Sequence, residues 1–276
     1  MKQILIPIDF SKSSENALIF ALSMARKEKA KVTVLHIVSP FGGLEEGVLQ
    51  VYDFSVYLEE KRKSMVAYMD RIQSKYGFRR MKVDLRCESG QSAEGILHFA
   101  ASIQADMIIM GSRGGSNISK ILLGSTSQAI VSLAKIPVLI IPPDFRMEDY
   151  QAKICFATDY HLKLNKAARN LFDQYDFLTK AQIIFVHVHN SQTPVYREKH
   201  AALVDLIFPK IKSKLKYIES DQFEESIDNY MRSSESGMLI LLPHEHYFLF
   251  HLFFRGHTLP IVKKLRYPIL ILHELN

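Results

Sequence analysis

The residues best suited to chemistry are Gly111, Gly114, Gly124 and Ser125. Two residues separate the first two glycines, and nine separate Gly114 from the Gly124–Ser125 step. An apolar run, Met107 to Met110, precedes this segment and reads as a buried strand; Thr126 to Ala134 follows it and reads as a helix. A strand, a glycine-bearing loop and a helix N-terminus together make an anion site. Glycines let backbone N–H groups approach a phosphate, and the helix start adds unpaired donors and a partial positive charge. Ser125 and Thr126 add hydroxyls at that start. A tight turn needs only two of these glycines, so a purely conformational role leaves the others unexplained. Arg113, inside the loop, either reaches the anion as a fixed charge or stays solvated. Ser116, Ser119 and Lys120 are weaker candidates on its outer part.

The elements that must position this loop alternate along the first half. Short apolar runs predict strands at 3–8, 31–38, 81–86, 106–110 and 137–141, with helices near 13–29, 52–76, 91–103 and 125–134. Such alternation calls for a parallel sheet covered on both faces by helices, with right-handed crossovers. The segment 39–50 is a longer loop after the second strand, either a lid at the ligand edge or a connector without a role.

The chain then repeats itself. Lys2 to Asp9 matches Ala152 to Asp159, Val34 to Ile37 matches Phe185 to Val188, and Met107 to Met110 matches Met238 to Leu242. Lys135 to Ile141 matches Arg266 to Leu272, all in the same order and at close spacing. Pro142 to Tyr150 reads as a linker between domains at 1–142 and 151–276.

The opening Pro7, Ile8, Asp9, Phe10, Ser11, taken with the glycine loop, resembles the universal stress protein family in its ATP-binding branch. The resemblance covers 1–142 well and 151–276 more loosely, so the whole is similar to a tandem member. It implies an α/β fold of two Rossmann-like, five-stranded parallel sheets of the HUP (adenine nucleotide alpha hydrolase-like) kind, each in strand order 3-2-1-4-5, related by a pseudo-twofold axis. The switch point then lies between strands 1 and 4, beyond their carboxyl ends, where open α/β sheets bind ligands. The resemblance implies ATP with Mg²⁺ as ligand. It assigns adenine to Pro7, Ile8, Asp9 and Ile37, and ribose and phosphates to Met110, Gly111 and the cradle residues Gly114, Gly124, Ser125 and Thr126. Asp9 accepts from the nucleotide or helps place Mg²⁺; its ordinary role at a strand end is a turn or N-cap. His36 reads as a core histidine bonded to backbone.

No Walker-type lysine, Ser-His-Asp order or catalytic carboxylate pair stands out, so no catalytic residue is assigned and hydrolysis has little machinery. The function implied is an ATP-dependent regulatory, stress-response module, with ATP in the first domain only. Alternatives are a slow ATPase or phosphotransferase, and an interaction scaffold using the second domain. Both fifth strands, Pro137 to Ile141 and Pro268 to Leu272, are apolar edge strands in the implied order. Open edges of that kind need cover, so the halves are expected to meet there as a built-in dimer, with a further homodimer possible.

In the second half Pro243 and His246 replace the first two glycines and Gly256 alone survives, so the cradle is lost. Aromatic residues Tyr247, Phe248, Phe250, Phe253 and Phe254 crowd there, either filling the pocket or covering a protein partner. His187, His189, His244 and His246 suit zinc by type, but their spacing fixes no tetrahedral set, and no metal held by protein ligands is expected. The formal charge is +6. Its basic residues are scattered, which argues against nucleic-acid binding. No apolar run reaches membrane-span length, and the N-terminus reads as a strand, not a signal peptide. Cys87 and Cys155 are the only cysteines; they suggest no disulfide framework and point to a reducing cytoplasm.

Overall fold

The computed structural model describes residues 1–39, 54–112, 123–146, 153–158, 162–192, 194–211, 213–242 and 267–274. The first half runs β1 (Gln3–Pro7), α1 (Lys12–Glu28), β2 (Lys31–Val38), α2 (Phe54–Lys75), β3 (Val83–Ser89), α3 (Ser92–Ser102), β4 (Met107–Gly111), α4 (Ser125–Leu133) and β5 (Val138–Ile141). The second runs β6 (Lys153–Ala157), α5 (Lys166–Gln174), α6 (Asp176–Thr179), β7 (Gln182–His189), α7 (Arg197–Ile207), β8 (Ser213–Glu219), α8 (Phe223–Ser234), β9 (Met238–Leu241) and β10 (Ile269–Ile271). The third strand departs from its predicted 81–86. Met81 is held in a turn by its N–H bond to Phe78 O, and pairing with β2 continues to Val38 opposite Ser89. β8 was not among the expected strands, although its Lys-Leu-Lys-Tyr alternation is that of a half-buried strand.

Two five-stranded sheets meeting at their fifth strands were expected; the structure brings those strands together and pairs them, so the two sheets are one. Its ten strands lie in the order β3-β2-β1-β4-β5-β10-β9-β6-β7-β8. Each half keeps the parallel order 3-2-1-4-5, and the two join through an antiparallel β5–β10 pair with Leu139 opposite Leu270. The physical reason is edge satisfaction. Both strands are apolar and buried, and their outward N–H and C=O groups find partners only in each other. Because that pair is antiparallel, the carboxyl ends of the two halves' strands lie at opposite edges of the sheet.

Helices cover both faces. One apolar layer holds Leu18 and Phe20 of α1, Met65 and Met69 of α2, Leu171 of α5 and Val204 of α7. The other holds Ile96 of α3, Ile130 of α4, and Ile227 and Met231 of α8. Both layers run across the two halves without a break. The segment expected as a linker is packed where it is described: Phe145 is buried against Phe20, and Asn16 Nδ2 donates to the carbonyls of Pro142 (2.9 Å) and Phe145 (2.8 Å).

Polar side chains also tie the halves. Glu28, at the end of α1, accepts from Lys2 Nζ (2.6 Å) and from the backbone N–H groups of Asp176 (2.8 Å) and Phe177 (2.7 Å). Tyr175 donates to Asp106 Oδ2 at 3.1 Å, the oxygen that also takes the Gln3 N–H at 2.7 Å. Asn165 caps α5 through Oδ1 and donates from Nδ2 to Lys135 O of the first half at 3.0 Å.

Candidate nucleotide site

β1 and β4 pair directly, with Ile4 opposite Met107, and the chain leaves their carboxyl ends toward α1 and α4. The crevice between those ends is an open cleft of about 200 Å³. Pro7, Ile8, Asp9, Ile37, Met110, Gly111, Gly124, Ser125 and Thr126 all line it. Arg113 and Gly114 lie outside the described residues, as do Ser116, Ser119, Lys120, residues 40–50, and the second-half loop from Pro243 through Gly256. Ser11, Ser14, Ser92 and Ser127 also line the cleft and were not singled out from sequence; the serine-rich start of α1 was the available signal.

Close packing builds the cleft floor. A side chain at Gly111 would place its Cβ 2.5 Å from Ser13 Oγ and 2.7 Å from Ser13 O. Only glycine lets the first turn of α1 sit this close to β4. Gly111→Ala is therefore expected to cost about 1–3 kcal/mol through overpacking, read as a lower urea midpoint; an unchanged midpoint would refute this close approach. Beyond β4, the Gly124 N–H donates to Ser112 O at 2.9 Å, and Ser127 Oγ donates to Gly111 O at 3.2 Å. Ser112 and Gly124 therefore meet at one point of the rim. Ser112 Oγ is buried and has no partner among the described residues.

Three helix N-termini open on the cleft. That of α1 is capped, because Ser11 Oγ accepts the Ser14 N–H at 3.2 Å. The N-caps of α3 and α4, Gln91 and Gly124, make no side-chain cap bond. Their first-turn N–H groups are thus open to a ligand, with the helix dipole behind them. Among the described lining residues there is no lysine or arginine; of these residues, the backbone N–H groups supply the positive potential.

Asp9 makes a turn bond, its Oδ1 accepting the Ser11 N–H at 3.0 Å. This is the turn role weighed in the sequence, made by a carboxylate that also lines the cleft. Burial pushes the Asp9 carboxyl up, but hydrogen bonds from Ser11 and Ser14 outweigh it and hold the group below its ordinary range. Asp9 is thus charged at neutral pH. His36 Nδ1 donates to Ile8 O at 2.9 Å, and burial lowers its pKa, so it is a neutral latch between β1 and β2. The second half repeats this latch: His187 Nδ1 donates to Thr158 O at 3.0 Å.

A family model described as the universal stress protein family matches residues 1–142. The chain belongs to the universal stress protein family. A curated universal stress protein of Methanocaldococcus jannaschii is 32% identical over 143 residues, covering 51% of this chain and 81% of the relative. The stress response protein NhaX of Bacillus subtilis is 29% identical over 161 residues, covering 50% and 96%. Among solved structures, a universal stress protein from Archaeoglobus fulgidus matches 98% of each chain with a TM-score of 0.70 at 17% identity. That likeness extends the fold over both halves of this universal stress protein. Among the described residues no helix is long and apolar enough to cross a membrane.

Proposed function

We propose that this cleft binds ATP with its Mg²⁺, once per chain, and that the protein is a nucleotide-dependent regulatory module. The observation carrying this reading is the pair of helix N-termini without side-chain caps, set beside an apolar slot formed by Pro7, Ile8, Ile37 and Met110. The slot suits adenine; the α4 N-terminus suits phosphate. The cleft is smaller than pockets that enclose a drug-sized ligand, which fits a ligand seated at one end with its charged end toward solvent. Asp9 is the one carboxylate among the described lining residues, placed for a ribose or adenine donor or for the ion's water shell. The second half is read as a degenerate universal stress protein domain, with Pro243 and His246 in place of cradle glycines.

A ligand that binds only the folded chain stabilises it by mass action, by about 2.7 kcal/mol at a hundredfold excess over Kd. MgATP at that excess is expected to raise Tm by about 5 °C. No shift at millimolar MgATP would count against the reading. Hydrolysis is expected below about one turnover per second, under the usual enzyme range. His36 spends Nδ1 on Ile8 O, and no second carboxylate or lysine lines the described cleft. Phosphate release well above that rate, lost in Asp9→Asn, would make the protein an enzyme.

A further inference from the structure

At the other end of the first-half strands, around the starts of β1, β2 and β3, lies a groove of about 810 Å³. We propose that it docks an extended acidic segment of a partner protein. This inference stands independently of the nucleotide reading.

Charge is the first observation. Arg26, Lys29, Lys31 and Lys82 line the groove, all four are exposed, and among the described residues none forms an ion pair. Asp84 is the single carboxylate among the described lining residues, and its Oδ2 already accepts from Arg86 Nε at 2.9 Å. Arg26 and Lys29 complement the negative end of the α1 dipole, which is reason enough for their presence. Lys31 and Lys82 lie outside that helix and have no such role. The internal repeat gives a partial contrast: at the register positions of Lys31 and Val83 the second half has Gln182 and Ser213, while the residue before Ser213, like that before Val83, is a lysine, Lys212. The fold therefore demands neither the lysine at 31 nor the valine at 83.

The floor and the edge choose the partner. Ala30, Val32, Met81, Val83 and Ile103 make the floor apolar. β3 is an end strand of the sheet, so among the described residues no strand lies beside its outward backbone groups. An added peptide strand would take main-chain bonds from β3, place apolar side chains on the floor and carboxylates against the lysines. Single-stranded nucleic acid would call for aromatic stacking platforms, and no aromatic residue is among the described residues that line the groove. The volume falls within the range of small-ligand and peptide sites.

The test is fluorescence anisotropy of a fluorescein-labelled decapeptide of alternating Glu and Val, at nanomolar concentration, titrated with the full chain. Saturable binding is expected, weakening as salt rises. K31E/K82E should weaken it about tenfold or more, and K31Q/K82Q, which only neutralises, by less. Melting curves establish that each variant is folded. G124V should bind the peptide as the parent does, which separates this site from the nucleotide cleft. Hydrogen exchange at the Val83–Ser89 amides should slow when peptide is added. The proposal is overturned by absent saturable binding, by undiminished binding to folded K31E/K82E, or by tighter binding of a ten-nucleotide oligothymidine at the same lysines.

Discussion

Gly124→Val is expected to remove ATP binding while leaving the fold intact. Gly124 is the N-cap of α4 at φ −63°, ψ 159°, a conformation open to any L-residue. Its backbone N–H donates to Ser112 O and its carbonyl accepts the Gln128 N–H, and valine keeps both bonds. The stability cost should therefore stay near about 1 kcal/mol, the penalty for a poorer N-cap residue, which leaves the chain folded. The ligand cost is different. A branched side chain at the mouth of α4 stands where phosphate must approach the first-turn N–H groups. Losing one or two charge-assisted hydrogen bonds of about 1.5 kcal/mol or more each weakens binding by roughly tenfold to two-hundredfold. Titration of ATP into a folded variant with undiminished affinity would show that α4 is not the phosphate seat. Gly111→Ala makes an informative contrast, since it acts on the packing of α1 against β4 and is read in stability first.

The second large effect lies far from the cleft. Glu28→Ala is expected to destabilise the chain by about 3 kcal/mol. The Glu28 side chain is only 3% exposed and serves three donors: the Lys2 ammonium and the N–H groups of Asp176 and Phe177. Alanine leaves those two backbone donors, at the start of α6, without their acceptor, and each such loss costs about 1–3 kcal/mol. Lys2 is partly exposed and regains water, which trims the ionic part of the cost. Glu28→Gln keeps one acceptor oxygen and should cost less than Glu28→Ala. Urea unfolding of the two variants measures both. A change under about 0.5 kcal/mol for Glu28→Ala would mean that this tie does not hold the halves.

The elements of the first half were legible because their hydrophobic periods are clean. Met107 to Met110 and Val138 to Ile141 are strand-length apolar runs, and Lys12 to Glu28 is bounded by a serine cap and a left-handed lysine. The end of β3 was not, because Glu88 and Ser89 continue a strand whose outer side is solvated. β8 was missed for the same reason: as an end strand it carries lysines at alternate positions. The junction was legible in part. Apolar fifth strands signal an edge needing cover, but nothing in a pattern of isoleucines and leucines says whether the cover is a face or a hydrogen-bonded strand. Glu28 and Asp106 could not be read at all, since their partners lie 148 and 69 residues away in the chain. At the site, glycines and the strand-end Asp9 stood out by type and spacing. The serines Ser11, Ser14, Ser92 and Ser127 did not, because a serine at a helix start is an ordinary cap until topology brings three helix starts to one crevice.

Whether one ATP binds per chain, in the cleft between β1 and β4, is read by isothermal titration of MgATP into the full chain, with G124V as the paired sample. A single class of site with a stoichiometry of one is expected, with loss of that heat in G124V. Two equal sites per chain, or an unaltered isotherm in the folded variant, would contradict this expectation.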